Sequence, residues 1–266
     1  MTIAAGSVHA LLLAGQRPGP DALADHFGVA LKVLVPLDGE PMLARVAHML
    51  ADHPAIGRVA ILTADREVIL ADPGCAWLAD HPRIAFAPAA ATISRTVSDA
   101  MGEPSPDHPV LVTTGDHPLL ETAMIDAFLA ASAATDADLT VAVVERGRYE
   151  ALLAEGRRTW LRFRGGAYSG ANLFLLRTPA ARRAVTFWQK VEADRKKGRK
   201  IVAAFGPLLL AAVGLKLLTL HRGLALAGRR LGVRVAAIEM DDPLVCIDVD
   251  KVEDHALATH LLQQRA

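Results

Sequence analysis

Four short, continuous apolar runs constrain this chain more than anything else in it: HALLLAG (9–15), RVAILTA (58–64), PVLVTTGD (109–116) and ADLTVAVVE (137–145). Helical periodicity fills the gaps between them, over EPMLARVAHMLADH (40–53), TISRTVSDAM (92–101) and ETAMIDAFLAASAA (121–134). Strands without polar alternation are buried on both faces, so this succession predicts an α/β fold with a mostly parallel sheet flanked by helices. In such sheets the ligand crevice lies at the carboxyl ends of the strands.

The second half of the chain changes character. RTWLRFRGGAYSGANLFLLR (158–177) reads as two strands around a Gly-Gly turn, followed by a long helix from Pro179 to Lys197. VRVAAIEM (233–240) reads as a strand, and VCIDVDKVEDHALATHLLQQ as a short strand with a terminal helix. No repeat or linker divides the chain, so 1–266 is expected to form one domain, with 178–232 as a helical insertion.

Apolar residues make up 52% of the chain, and 29 cations balance 29 carboxylates. A neutral chain sets up no overall field for nucleic acid, and that partner class is disfavoured. Cys75 and Cys246 form neither a disulfide framework nor a C-x-x-C pair. With no leader pattern at the N-terminus, a cytoplasmic address is the simplest expectation. The apolar stretch 201–220 approaches membrane-span length, but Gly206-Pro207, Gly214 and Lys216 interrupt it. A buried helix or helix pair is expected there. The alternative is peripheral contact of 195–220 with a membrane face beside the cations of DRKKGRK, lying on it rather than crossing it.

The first run breaks into Leu13-Ala14-Gly15-Gln16-Arg17, with Lys32 thirteen residues beyond Gly19 and Pro36-Leu37-Asp38-Gly39 after that. A small residue at a strand end lets backbone N–H groups approach an anion, and Arg17 and Lys32 could neutralise a polyphosphate. By glycine content alone a plain turn is an equal reading. The sequence fits neither the Walker nor the Rossmann fingerprint.

The order strand, A-G-x-R, variable loop, K-x-L-x-P-x-x-G-x-P-M, helix resembles the start of the MobA-like nucleotidyltransferases. That family includes molybdenum-cofactor guanylyl- and cytidylyltransferases and is related to sugar- and alcohol-phosphate nucleotidyltransferases. The resemblance implies a Rossmann-like, GT-A-like sheet binding a nucleoside triphosphate over this loop. Leu13, Ala14, Gly15 and Arg17 would then line the triphosphate, Lys32 would take the place of the catalytic lysine, and Gly39-Glu40-Pro41-Met42 would be the G-x-P-M turn. The usual L-A-A-G-x-G-x-R-M reads LLLAGQRPG here and lacks its second glycine.

Asp116 in TTGDHPLL follows the third run directly, where a carboxylate would face the crevice and offer hard oxygens to Mg²⁺ or Mn²⁺. A turn or helix cap is the plain alternative for such an aspartate. The segment strand-x-x-G-D-x-P-x-L also resembles the family's metal-binding aspartate. IDVDKVEDHALA (247–258) resembles its closing segment, which implies Asp248 as the second metal ligand and Asp250 in reserve. Ser94 falls where the family's chain passes the nucleobase. GGAYSGANLFLL (165–176) resembles the acceptor side, which puts Gly170 and Asn172 there. Arg162 and Arg164 share a strand face and could grip an acceptor phosphate or simply be solvated.

The expected activity is Mg²⁺-dependent transfer of a nucleotidyl group from a nucleoside triphosphate, CTP or GTP favoured, to a phosphorylated small molecule. Arg17, Lys32 and Asp116 are the expected catalytic residues. The acceptor class spans polyol or inositol-like, sugar and cofactor phosphates. A GT-A-type glycosyltransferase using a nucleotide sugar and a non-catalytic nucleotide-binding regulator remain the alternatives.

Overall fold

The computed structural model describes residues 3–16, 19–101, 109–153, 158–192 and 199–265, with the backbone alone over 199–204. In chain order the elements are β1 (Val8–Leu13), α1 (Ala22–Phe27), β2 (Pro36–Leu37), β3 (Glu40–Pro41), α2 (Met42–Asp52), β4 (Ile56–Leu62), α3 (Arg66–Ala71) and β5 (Ile84–Ala87). Next come α4 (Ile93–Ala100), β6 (Val110–Thr114), α5 (Thr122–Ala133), β7 (Leu139–Glu145), α6 (Arg146–Leu152), β8 (Leu161–Phe163) and β9 (Gly166–Leu176). The chain finishes with α7 (Arg182–Glu192), α8 (Arg199–Gly214), α9 (Leu220–Leu231), β10 (Val235–Glu239) and α10 (Val252–Gln263).

The main sheet runs β10-β7-β9-β6-β1-β4-β5, with β8 hairpinned onto β9. Its pairs are parallel except around β9, which runs antiparallel to both β6 and β7. The run of β1, apolar except for His9, explains the burial of both faces. Val8, Ala10 and Leu12 enter the large core with α2 and α5, whereas Leu11 packs on the other face with Val97 and Met101 beside α4.

Local signals set several boundaries. Asp21 caps α1 by accepting from the N–H groups of Leu23 and Ala24 (3.0 and 3.1 Å), and Thr92 caps α4 through the N–H of Arg95 (3.3 Å). Asp38 and Gly39 both take positive φ (53° and 81°), the two-residue turn that joins β2 to β3.

Three expectations need correction. The short strand expected at the start of VCIDVDKVEDHALATHLLQQ is the end of a 3₁₀ turn over Pro243–Cys246 followed by an irregular segment. Its backbone is held by Asp116 and Asp254 instead of by a ladder. The long helix from Pro179 begins as a 3₁₀ turn and continues as α7 to Glu192, and residues 193–198 lie outside the described residues. Over 205–219 the expected apolar stretch is not buried core. Gly206 breaks α8 with φ +72° ahead of Pro207, and Leu208, Leu215 and Leu217 are exposed. Among the described residues no helix is long and apolar enough to cross a membrane.

Candidate active site at the carboxyl ends of β1 and β6

β1 and β6 end side by side, Leu13 opposite Thr114, and the N–H of Gly115 donates to the carbonyl of Leu13 (2.8 Å). A side chain at 115 would meet Leu43 of α2 at 3.1 Å, so glycine lets the turn close down on that helix. Asp116 follows immediately. Its carbonyl accepts from the N–H of Val249 (3.0 Å), which pins the irregular C-terminal segment to this turn.

Lys32 opens a 3₁₀ turn, where its N–H donates to the side-chain carbonyl of Gln16 (3.0 Å). The Lys32 ammonium lies between two carboxylates, 2.5 Å from Asp116 Oδ2 and 2.6 Å from Asp250 Oδ1. Those two oxygens are therefore no more than about 5 Å apart. Asp250 and Lys251 both donate backbone N–H to Asp254, and His255 bonds to the carbonyl of Pro36 (2.8 Å). The start of α10 is thereby clamped beside the β2–β3 turn.

Asp248 takes a different partner. Its Oδ1 accepts from Arg158 Nη1 (3.0 Å), while Arg158 Nε donates to Ser169 Oγ (3.3 Å). Ser169 adjoins Gly170 on β9, where the ladder to β7 is irregular and Asn172 adopts φ +46°. An asparagine tolerates this left-handed conformation better than most residues, and such bulges re-aim side chains at sheet ends. Gly170 is exposed, with open space where a side chain would stand.

Electrostatics set the ionisation states. Burial alone would lower the Lys32 pKa, but Asp116 and Asp250 override it and raise it above the ordinary lysine value. Burial likewise opposes charge on Asp116, yet His117 and Lys32 together hold its carboxyl well below the usual range. Asp116 is thus ionised and Lys32 charged at neutral pH. Burial pushes the Cys75 and Cys246 thiols up to about 12 and about 11, so neither offers a thiolate.

Among the described residues no three His, Cys, Asp or Glu converge as a ready metal cage. The donor set nonetheless suits a hard divalent cation. Asp116 and Asp250 supply carboxylate oxygens from two sides, and Asp116 Oδ1 is buried without a hydrogen-bond partner. His117 Nδ1 stands 3.5 Å from that oxygen and bonds Thr114 Oγ1 (3.0 Å).

The remaining expected residues lie as follows. Gly15 borders the loop after β5, where a side chain would touch Ala89 at 3.5 Å, and Ala14 N–H donates to Leu62 (3.0 Å). Arg17 lies outside the described residues. Ser94 is buried between α4 and α7, and both its N–H and its hydroxyl donate to Glu192 (3.2 and 2.5 Å). Arg162 and Arg164 are exposed on the β8–β9 hairpin. Sequence reasoning did not single out Gln16, Arg158 or Ser169. Gln16 lies within the glycine loop itself, but Arg158 carries no local signal, because its partner is ninety residues away.

The MobA-like NTP transferase domain matches residues 10–178. The chain belongs to this family, and it is a nucleotidyltransferase.

The MobA-like match takes in Gly15, Lys32, Asp116, Gly170 and Asn172, while Asp248 and Asp250 lie beyond it. The chain is similar to a hypothetical transferase of Thermus thermophilus, with 29% identity and a TM-score of 0.75 over 93% of this chain and 98% of that one. It shares its fold with 4-diphosphocytidyl-2C-methyl-D-erythritol synthase of Anaerococcus prevotii (11% identity, TM-score 0.56, covering 96% and 98% of the two chains). A further fold relative is a CMP:2-keto-3-deoxy-manno-octonic acid synthetase complexed with CTP (11%, TM-score 0.59, covering 98% and 100%). No sequence among curated proteins matches the MobA-like chain.

Proposed function

We propose that this MobA-like protein transfers a nucleotidyl group from a nucleoside triphosphate, CTP first and GTP second, to a phosphorylated small molecule. The observation that carries the reading is the Asp116–Lys32–Asp250 bridge at the carboxyl ends of the strands, with one oxygen of Asp116 left unbonded. CTP leads because one fold relative is a complex with CTP and the other is named for a diphosphocytidyl compound. The acceptor belongs to the polyol, sugar or cofactor phosphates, held on the side of Gly170, Asn172 and Arg164.

An acceptor phosphate oxygen forms a bond to the α-phosphorus, and the bond from that phosphorus to pyrophosphate breaks in line. Lys32 is too basic to shuttle protons, so it serves as a fixed charge against the leaving pyrophosphate, and Arg17 of the loop would add a second charge there. Asp116 and Asp250 would hold Mg²⁺ or Mn²⁺, and Asp248 would orient Arg158 next to the acceptor. A divalent cation held there would offset triphosphate charge and polarise the α-phosphoryl group.

Thermal shifts with ATP, CTP, GTP, UTP and dTTP, each with and without Mg²⁺, test this reading beside an Asp116→Ala control. Ligand at one hundred times its dissociation constant stabilises by about 2.7 kcal/mol, a shift of several degrees in a chain this size. One triphosphate is expected to stand out, with Mg²⁺ only and in wild type only. A shift with nucleotide sugars and none with triphosphates would replace this reading by a glycosyltransferase.

A further inference from the structure

In a chain with no net charge, the segment from Arg195 to Ile238 carries ten lysines and arginines and not one aspartate or glutamate. Among the described residues, the same segment holds the two most exposed large apolar side chains. Leu208 is 83% exposed, Leu215 71% and Leu217 59%. Their exposure is built in, since three backbone hydrogen bonds close the end of α8. Leu215, Lys216 and Leu217 donate to Ala211, Val213 and Ala212 at 2.8, 2.9 and 2.8 Å. That turn holds Lys216 at φ +56°, a conformation usually left to glycine at a helix end.

Cations lie between and beside these leucines. Lys216 separates Leu215 from Leu217, and the Arg230 guanidinium packs at the Gly206 kink just ahead of Leu208. Among the described residues, Lys216, Arg222, Arg229 and Arg230 have no carboxylate partner, and neither do Arg162 and Arg164 on the adjoining hairpin. The two regions join directly, through the N–H of Arg164 donating to the carbonyl of Leu218 (2.9 Å).

We propose that the face formed by α8, the α8–α9 turn and the β8–β9 hairpin docks the protein on an anionic bilayer. Leu208, Leu215 and Leu217 enter the headgroup–acyl boundary while the unpaired cations meet lipid phosphates. The charge pattern selects this occupant. A second copy would set one cationic face against another, whereas an anionic bilayer offers complementary charge and an apolar interior together. The hairpin places the acceptor side of the site at the rim of that face. The docking does not depend on the proposed reaction.

Flotation of the untagged full chain with vesicles of phosphatidylcholine alone, and with about one third phosphatidylglycerol, tests the proposal. Binding is expected with the anionic vesicles only, and it should fall on adding salt. Leu208→Ser/Leu215→Ser/Leu217→Ser is expected to weaken it by at least about tenfold. Because these side chains are exposed, the melting temperature and the triphosphate-dependent shift should not move. No binding to anionic vesicles, or equal binding by the triple variant, overturns the proposal. So does a wild-type dimer in light scattering that the triple variant turns into monomer, because a second copy would then cover the face.

Discussion

Two aspartates at opposite strand ends, one buried and one partly buried, make the most instructive pair in this molecule. Asp138, ahead of β7, has both oxygens fully engaged. Oδ1 accepts from Thr178 (2.8 Å) and Arg234 Nη2 (2.9 Å), while Oδ2 accepts from the Arg234 N–H (2.9 Å) and Nε (3.2 Å). Nearby Arg177 donates to the carbonyls of Ser132 and Thr135 at the end of α5 (2.8 and 2.7 Å). Asp116, just past β6, has one oxygen on a lysine, while the other makes no hydrogen bond and has only the His117 ring nitrogen at 3.5 Å. Both carboxyls titrate well below the usual range, so their ionisation does not tell them apart. Satisfaction does. A carboxylate whose lone pairs are all taken is a latch, and one left open costs stability that a ligand can repay.

The largest effect expected from this contrast is on turnover. Asp116→Ala should lower pyrophosphate release, assayed with a pool of sugar and polyol phosphates, by about 10³-fold. The chain should stay folded by circular dichroism, because Lys32 keeps Asp250. Near-normal release by this variant would remove Asp116 from the chemistry.

Asp138→Ala is expected to do the reverse. Stranding the Arg234 N–H and the Thr178 hydroxyl should cost about 2 kcal/mol in urea unfolding, with nucleotide affinity unchanged in the folded protein. An undiminished midpoint would show that the latch is ornamental.

The smallest effect is in pH. The Arg234 guanidinium and N–H hold Asp138 below its unfolded pKa of about 3.9, so its contribution is complete above that value and fades as pH falls below it. The stability gap between wild type and Asp138→Asn should therefore be full at neutral pH and shrink below about pH 4. Taking the difference between the two proteins cancels the parallel titration of Asp116.

The β1, β4, β6 and β7 runs and the α2, α4 and α5 patterns were legible because burial on two faces or on one stripe writes itself into local spacing. β5 was missed, and α9 was not delimited within the expected helical insertion. The first is a four-residue strand inside an Ala/Pro-rich stretch, and the second follows a kink that periodicity does not mark. The antiparallel insertion of β9 between β6 and β7 also leaves no trace in its own residues, since strand direction depends on the neighbour it meets.

The sequence alone determined the alternating α/β architecture and the placing of Gly15 and Asp116 at or near strand ends, because each depends on residues within a turn or two. The tertiary structure decided which carboxylate Lys32 meets beyond Asp116. Asp248 had stood first on sequence and Asp250 second, yet the irregular path of 247–250 sends Asp250 to Lys32 and Asp248 to Arg158. Those contacts join residues 218 and 90 positions apart. No local pattern specifies them, because such pairings exist only after the sheet and α10 have packed.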